Sequence, residues 1–311
     1  MGDTANGWSG TASLRFARGA RGTRHQGGGT APLKVQRAFQ GADGRCELPV
    51  LHTAGGLVGG DRLHISATLE AGCRVLLTSV AAQKVYGSIG RSRRAPAGSW
   101  ARQQLTFAVE AGADLEWLPQ ELVLYAGALY EQRARVTLAP GAGWLGGEVV
   151  RLGRTAAGEE LGQGRWRSLL EVRRLGATAD GPDRWELVDR LELSGDALEE
   201  AHGMAGQPVF GSLVWAAPHP LPAERMQRLL ELCRSDRAGL EGEMACGALD
   251  QGLVARYRGP SSTAARFWFV RLWARIRAEQ GLAAPVLPRV WPFQEEPLAQ
   301  AVCGTSADGE R

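Results

Sequence analysis

From Lys34 to Leu193 the sequence is built of short runs that alternate apolar and polar residues, separated by Gly-containing turns. Leu63-His64-Ile65-Ser66-Ala67-Thr68-Leu69 is one such run, and Gln104-Leu105-Thr106-Phe107-Ala108-Val109 is another. Successive side chains of a strand face opposite ways, so a period of two buries one face and wets the other. This commits most of the chain to β-structure. Glycine fits that reading: 42 of 311 residues are Gly, nearly twice the usual ~7%, with no every-third-residue period that would make collagen. A weak repeat lies inside the β region, in the stretches TLEAGCRVLL, AVEAGADLEWL and TLAPGAGWLGG. Each places a strand, a two-residue link, a glycine (Gly72, Gly112, Gly141) and a second strand in order, as a turn with positive φ requires. The spacings of 40 and 29 residues are too irregular for a strict solenoid, but stacked hairpins would generate them. The expected fold is mainly β: an elongated, layered stack of β-hairpins, β-helix-like, with about two amphipathic helices in the C-terminal third.

The flanking regions read differently. Residues 1–30 are rich in Gly and Arg, and predict a strand at Ala12–Ala17 followed by a flexible loop. After about residue 205, Leu221 to Arg237 carries Pro222 near its start and the stripe Met226, Leu229, Leu230, Cys233, which predicts a helix. A second helix runs from a Ser261/Ser262 cap through Phe267, Val270, Leu272, Trp273 and Ile276 to a stop at Gly281. Its interleaved Arg266, Arg271, Arg275 and Arg277 read as a solvated face. Pro285, Pro288, Pro292 and Pro297 make the C-terminus extended. One domain over residues 1–293 is expected, β-rich over 8–200 and mixed over 205–293, with a disordered tail at 294–311.

Charge and motifs exclude several function classes. The 36 basic and 33 acidic residues leave +3, far from the clustered charge of a nucleic-acid binder. No stretch approaches the length of a membrane span, and the opening residues lack a secretory signal pattern. Five scattered cysteines with no CxxC pair favour a reducing compartment, so a cytoplasmic protein is expected. No GxSxG, HExxH, Walker or dinucleotide-binding motif is present, which removes support from hydrolase, kinase and dehydrogenase readings.

Two groups of residues stand out. In LPVLHTAGGLVGGDRL, the pairs Gly55-Gly56 and Gly59-Gly60 lie between His52 and Asp61; the segment is either a ligand-presenting loop or a glycine-rich corner between strands. Glu121, Glu148 and Asp189 sit within otherwise apolar β segments. A buried carboxylate costs several kcal/mol unless partnered, so these residues pair with Arg, face solvent by alternation, or line a polar passage. Arg151, Arg154 and Arg190 are near enough in sequence to make ion pairs.

LHTAGGLVGGD, AAQKVYGS, EWLPQE, EVVRLGR with Gly158-Glu159, and LPRVW (Leu287 to Trp291), taken in this order, resemble the UreD (UreH) family of urease accessory proteins over about Trp8 to Trp291. The resemblance implies a non-enzymatic maturation factor for nickel urease, with a β-rich layered fold. It implies UreF, UreG (through UreF) and the urease apoprotein as partners, and leaves GTP hydrolysis to UreG. It also implies an internal polar passage for transient Ni²⁺, with no tightly bound cofactor. Asp61, Glu148 and Asp189 fall at matching acidic positions, and Glu121 and His52 are further candidates for the lining. The C-terminal helices and the LPRVW segment, through Arg271, Trp273, Arg289 and Trp291, are the expected partner surface. The sequence departs from the family at QRAF (Gln36 to Phe39), where QRPF is usual, and at Gly87, where an Arg is usual. The competing reading is an independent β-helical enzyme acting on carbohydrate with Asp61 and Glu148 as its carboxylates.

Overall fold

A computed structural model describes residues 7–178, 181–291 and 296–298. Strands are numbered along the chain. The first sheet holds β1 (Ser9–Gly19), β2 (Gly22–Gly29), β6 (Arg62–Leu69), β9 (Ala101–Val109), β12 (Leu129–Leu138), β14 (Arg165–Arg174) and β15 (Arg184–Leu193), in the order β15-β14-β12-β9-β6-β1-β2. The second runs β17 (Glu243–Leu249), β18 (Gly252–Gly259), β16 (Val209–Ala216), β13 (Gly143–Leu152), β10 (Asp114–Trp117), β7 (Arg74–Ser79), β5 (Cys46–His52), β3 (Leu33–Val35). The short strands β4 (Phe39–Gln40), β8 (Gln83–Val85) and β11 (Leu122–Leu124) attach beside that path.

Between β5 and β14 the chain passes repeatedly from one sheet to the other, and β1, β6, β9, β12 and β14 all pair in parallel. The glycine repeat marks these crossings. Gly72, Gly112 and Gly141 have φ of 69°, 66° and 74° and lie in a column, with Gly72 N–H donating to Ala111 O. The mainly β, β-helix-like reading therefore holds. The repeat unit, however, is a corner and not a hairpin: the strands on either side of each glycine belong to different sheets and pair with their equivalents in the neighbouring turn. A Cβ on Gly112 would meet no close neighbour, so Gly112→Ala carries only the left-handed backbone cost. We expect a loss of about 1 kcal/mol in urea unfolding.

Alternation closes the core. Ala12, Leu14 and Phe16 of β1, Leu63, Ile65, Ala67 and Leu69 of β6, and Leu105, Phe107 and Val109 of β9 point inward against the second sheet. Each large apolar side chain so buried contributes roughly 1.5–3 kcal/mol. The Gly/Arg-rich segment expected as a loop is instead the edge strand β2, because its backbone pairs antiparallel with β1 from Gly22 to Gly29.

Both helices form where expected. α1 (Ala223–Ser235) starts after Pro222 and buries Leu229, Leu230 and Cys233. α2 (Ser262–Glu279) starts with the Ser261 side chain accepting from Ala264 N–H, and Gly281 follows its end with φ of 69°. The arginines of α2 depart from expectation. Arg266, Arg271 and Arg277 are buried, because α2 is sandwiched against the outer face of the second sheet with Trp268, Leu272, Trp273 and Ile276. Each guanidinium is held by polar partners. Arg271 donates to Asp236 O (2.7 Å), Ala238 O and Pro297 O, and so ties the end of α1 to the C-terminal segment. From residue 294 onward only 296–298 are described, with Pro297 buried; the rest of the expected tail lies outside the described residues.

Candidate functional site

The register of the parallel strands assembles a polar layer inside the sandwich. Leu63, Gln103 and Gln132 are aligned across β6, β9 and β12, and Gln132 pairs with Ser168 of β14. In the second sheet Glu148 of β13 is opposite Ser212 of β16, which is opposite Arg256 of β18. The two rows meet across the interior. Gln103 Nε2 donates to Gln132 Oε1 (3.3 Å), and Gln132 Nε2 donates to Glu148 Oε2 (2.9 Å). Arg256 donates to Ser212 Oγ and to Asp189 Oδ2 (2.6 Å), carrying the line to β15. Gln103, Gln132, Glu148 and Asp189 are half-buried, and drawing amides and carboxylates even partly out of water costs free energy that an apolar layer would not. Packing therefore does not account for this row.

Glu148 is its centre. Burial pushes its carboxyl up to about 7; Arg256 pulls it back, Asp189 raises it, and hydrogen bonds from Gln132 and Ser168 lower it. It lines three adjoining cavities. One, of about 60 Å³, also meets His52, Gln103, Gln120, Tyr130 and Gln132, and has room for a few waters. A second, of about 30 Å³, extends past Ser168 and Ser212. The third, also about 30 Å³, lies on the α2 side of the second sheet. In the largest of these three cavities, His52 Nε2 and both polar atoms of the Gln120 side chain are buried without a hydrogen-bond partner. Burial lowers the His52 pKa, so the ring is neutral near pH 7 and can lend a lone pair, against an opposing pull from Asp61.

The expected lining residues divide into two groups. Glu148 and Asp189 are joined through Arg256, and His52 shares a cavity with Glu148. Glu121 pairs with the buried Arg266 (3.3 Å) beside the α2-side cavity. Asp61 has a local role: its two carboxylate oxygens accept from Trp8 N–H (2.8 Å) and Val58 N–H (2.9 Å) and tie the Gly59-Gly60 corner. Charged-acceptor bonds contribute about 1.5–3 kcal/mol each, so loss of the two in Asp61→Ala should lower stability by about 3–6 kcal/mol, read by thermal unfolding, before it affects any passage. Gln103, Gln120, Gln132, Ser168, Ser212 and Arg256 were not anticipated. For Gln103 and Gln132, a polar residue at an inward position of an alternating run was the available signal.

The expected partner surface changes in part. Arg271 and Trp273 are interior, at 4% and 1% exposure, so neither is presented to a partner in this conformation. Trp273 is held by its Nε1–H donating to Glu116 (2.7 Å). Arg289 is exposed, and Trp291 is half-buried with its Nε1–H donating to Thr78 Oγ1 (2.8 Å).

The arrangement offers oxygen and imidazole donors strung along a line. Among the described residues there is no cluster of three or more His, Cys, Asp or Glu able to cage a metal ion. The carbohydrate-enzyme reading fails on geometry: Asp61 is committed to backbone amides, and Glu148 lies between the sheets and not in an open groove. No helix among the described residues is long and apolar enough to cross a membrane.

Comparison with known proteins places the sequence in a family. The UreD urease accessory protein family model matches residues 9–292. The urease accessory protein UreD of Synechococcus sp. WH7805 is 62% identical over 296 residues, covering 94% of this chain and 93% of that protein. UreD of Synechococcus sp. CC9902 is 60% identical, covering 96% and 94%, and UreD of Prochlorococcus marinus MIT 9313 is 62% identical, covering 88% and 85%. On a family match that spans nearly the whole chain and on identities of about 60%, this chain belongs to the UreD family of urease accessory proteins.

Proposed function

We propose that this chain acts in urease maturation as a scaffold and nickel conduit, linking UreF, and UreG through UreF, to apo-urease. One observation supports the conduit reading above others: the polar row of Gln103, Gln132, Glu148 and Ser212 between two apolar sheet faces, with His52 sharing its cavity and Arg256 and Asp189 at its half-exposed end. Ni²⁺ accepts imidazole, carboxylate and water, and it passes quickly only where successive sites are weak. Amides and singly placed carboxylates are weak sites, whereas a Cys or His cage would retain the ion. Ni²⁺ is thus the cargo and not a resident cofactor, and GTP hydrolysis belongs to UreG. The work is cytoplasmic, where urease is assembled. The exposed Arg289 and the segment around it remain the proposed partner contact.

The test is genetic and direct. Cells that express urease, UreF and UreG but lack this protein should accumulate urease apoprotein with little activity at ordinary nickel supply, and the wild-type gene should restore it. Normal nickel-dependent activation without the protein would overturn the proposal.

A further inference from the structure

The second sheet is interrupted where Glu148 lies. β10 pairs with β13 up to Trp117–Gly146, and β11 resumes at Leu122–Val150. Between them, residues 118–121 make no ladder pair with 147–149, although Leu118 N–H donates to Leu77 O and Gln83 N–H to Glu121 O on the opposite side, and Pro119 has no N–H to offer the ladder. Gly147 contributes no side chain to the gap. Pro119, Glu148 and Val149 line both the cavity between the sheets and the cavity beneath α2, so the two spaces meet at this break.

On the α2 side the break is covered by Arg266, Phe269, Val270 and Trp273 of α2 and by Trp291, the one covering residue that lies outside the helix. Trp291, at the end of the Leu287–Trp291 segment, lines the outer cavity, and its Nε1–H donates to Thr78 Oγ1, whose own hydroxyl donates to Leu118 O (2.6 Å). Arg266 lies 4.8 Å from the ring centroid of Trp291 and pairs with Glu121, on the far side of the gap. The two ends of the interrupted stretch are therefore both tied to the covering ring. Immediately inside, Gln120 is 4% exposed with neither Nε2 nor Oε1 bonded. A buried amide left unmade costs about 1–3 kcal/mol per group, a cost that is relieved once water or a cation can reach it.

We propose that the break between β10 and β11 is a mouth of the interior passage, with Gln120 on its threshold as a residue that contacts the passing ion or its water, and Trp291 as a displaceable plug. This rests on the conduit reading. The outer cavity of about 30 Å³ admits one or two waters or a largely dehydrated cation, and nothing larger, while the ring is in place. A partner that draws the Leu287–Trp291 segment aside opens the mouth at the moment of docking.

The test is cysteine accessibility in the full-length chain, read peptide by peptide by mass spectrometry. Gln120→Cys is labelled with the small cationic reagent 2-aminoethyl methanethiosulfonate, and the buried native Cys46 and Cys73 report global opening. Trp291→Ala should accelerate labelling at position 120 at least tenfold, with Cys46 and Cys73 unchanged. Trp291→Phe keeps a ring but loses the bond to Thr78, and should accelerate it severalfold. It serves as the probe if Trp291→Ala loosens the whole molecule. Labelling at position 120 that stays level with Cys46 in the folded variants would overturn the mouth. Failure of the conduit reading looks different: position 120 opens as described, yet Glu148→Gln activates urease normally.

Discussion

Arg277→Ala is expected to destabilise the protein by about 3–5 kcal/mol at pH 9, the range for removing one partner of a buried ion pair. Arg277 is 3% exposed; it donates to Glu116 Oε1 (3.2 Å), Asp43 Oδ2 (3.0 Å) and Ala283 O (2.8 Å). Glu116 also accepts from Arg45 and from Trp273 Nε1–H, so this carboxylate fastens α2 to β10. Burial pushes Glu116 up to about 8; Arg45 pulls it back, and Asp114 adds to the rise. A carboxyl raised in the folded state binds its proton more tightly there than when unfolded. Its contribution to stability is therefore full below the unfolded value near 4.5 and is lost as pH rises through 8. Removing Arg277 raises the folded value further. The deficit of Arg277→Ala should accordingly be smallest near pH 6 and grow to pH 9 in chemical denaturation, and a deficit that shrinks with rising pH would contradict this assignment.

What the sequence disclosed follows from which forces act locally. Period-two runs, the capping Ser261, the start after Pro222 and the stop at Gly281 are local effects, and strands such as β1, β6 and β9 and both helices could be read from them. The glycine corners were visible too, but their partners were not. Whether Gly112 joins two strands of one sheet or of two depends on what lies above and below it, which no local window contains. The buried arginines of α2 misled for a similar reason, because a guanidinium at a helical position reads as solvated until the Asp236 carbonyl, Glu116 and Asp43 arrive from elsewhere in the chain. The polar row was half legible. Gln103 and Gln132 each stand nine residues before a corner glycine, Gly112 and Gly141, at the position Leu63 holds before Gly72. Superposing the three repeats would have placed two glutamines where an apolar residue belongs. Glu148 and Asp189 stood out as acids in apolar strands, yet Ser212 and Arg256, which link them, carry no local mark. Asp61 carried a strong motif for a local reason, since it closes its own glycine-rich turn.

Glu148→Gln carries the largest expected functional effect. The substitution keeps the shape and the capacity to bond Gln132, while removing the only carboxylate that all three cavities share. Stability should rise and not fall. With the wild-type carboxyl held at about 7, its ionisation penalty develops as pH rises from about 4.5 through 7, so the variant should be the more stable at pH 8, by about 1–3 kcal/mol, and nearly equal to wild type at pH 4.5. A loss of activation therefore cannot be assigned to misfolding. Ion transfer that needs the carboxylate should likewise weaken below pH 7.

The decisive measurement is nickel content per urease active site, with urease activity, after co-expression of apo-urease, UreF and UreG with wild-type chain or with Glu148→Gln, with assembly verified by pull-down. The conduit account predicts complexes recovered in equal amount and nickel incorporation reduced at least tenfold by the substitution. Equal nickel loading in the two assemblies would contradict it, and would leave the chain as a scaffold whose interior acids are structural.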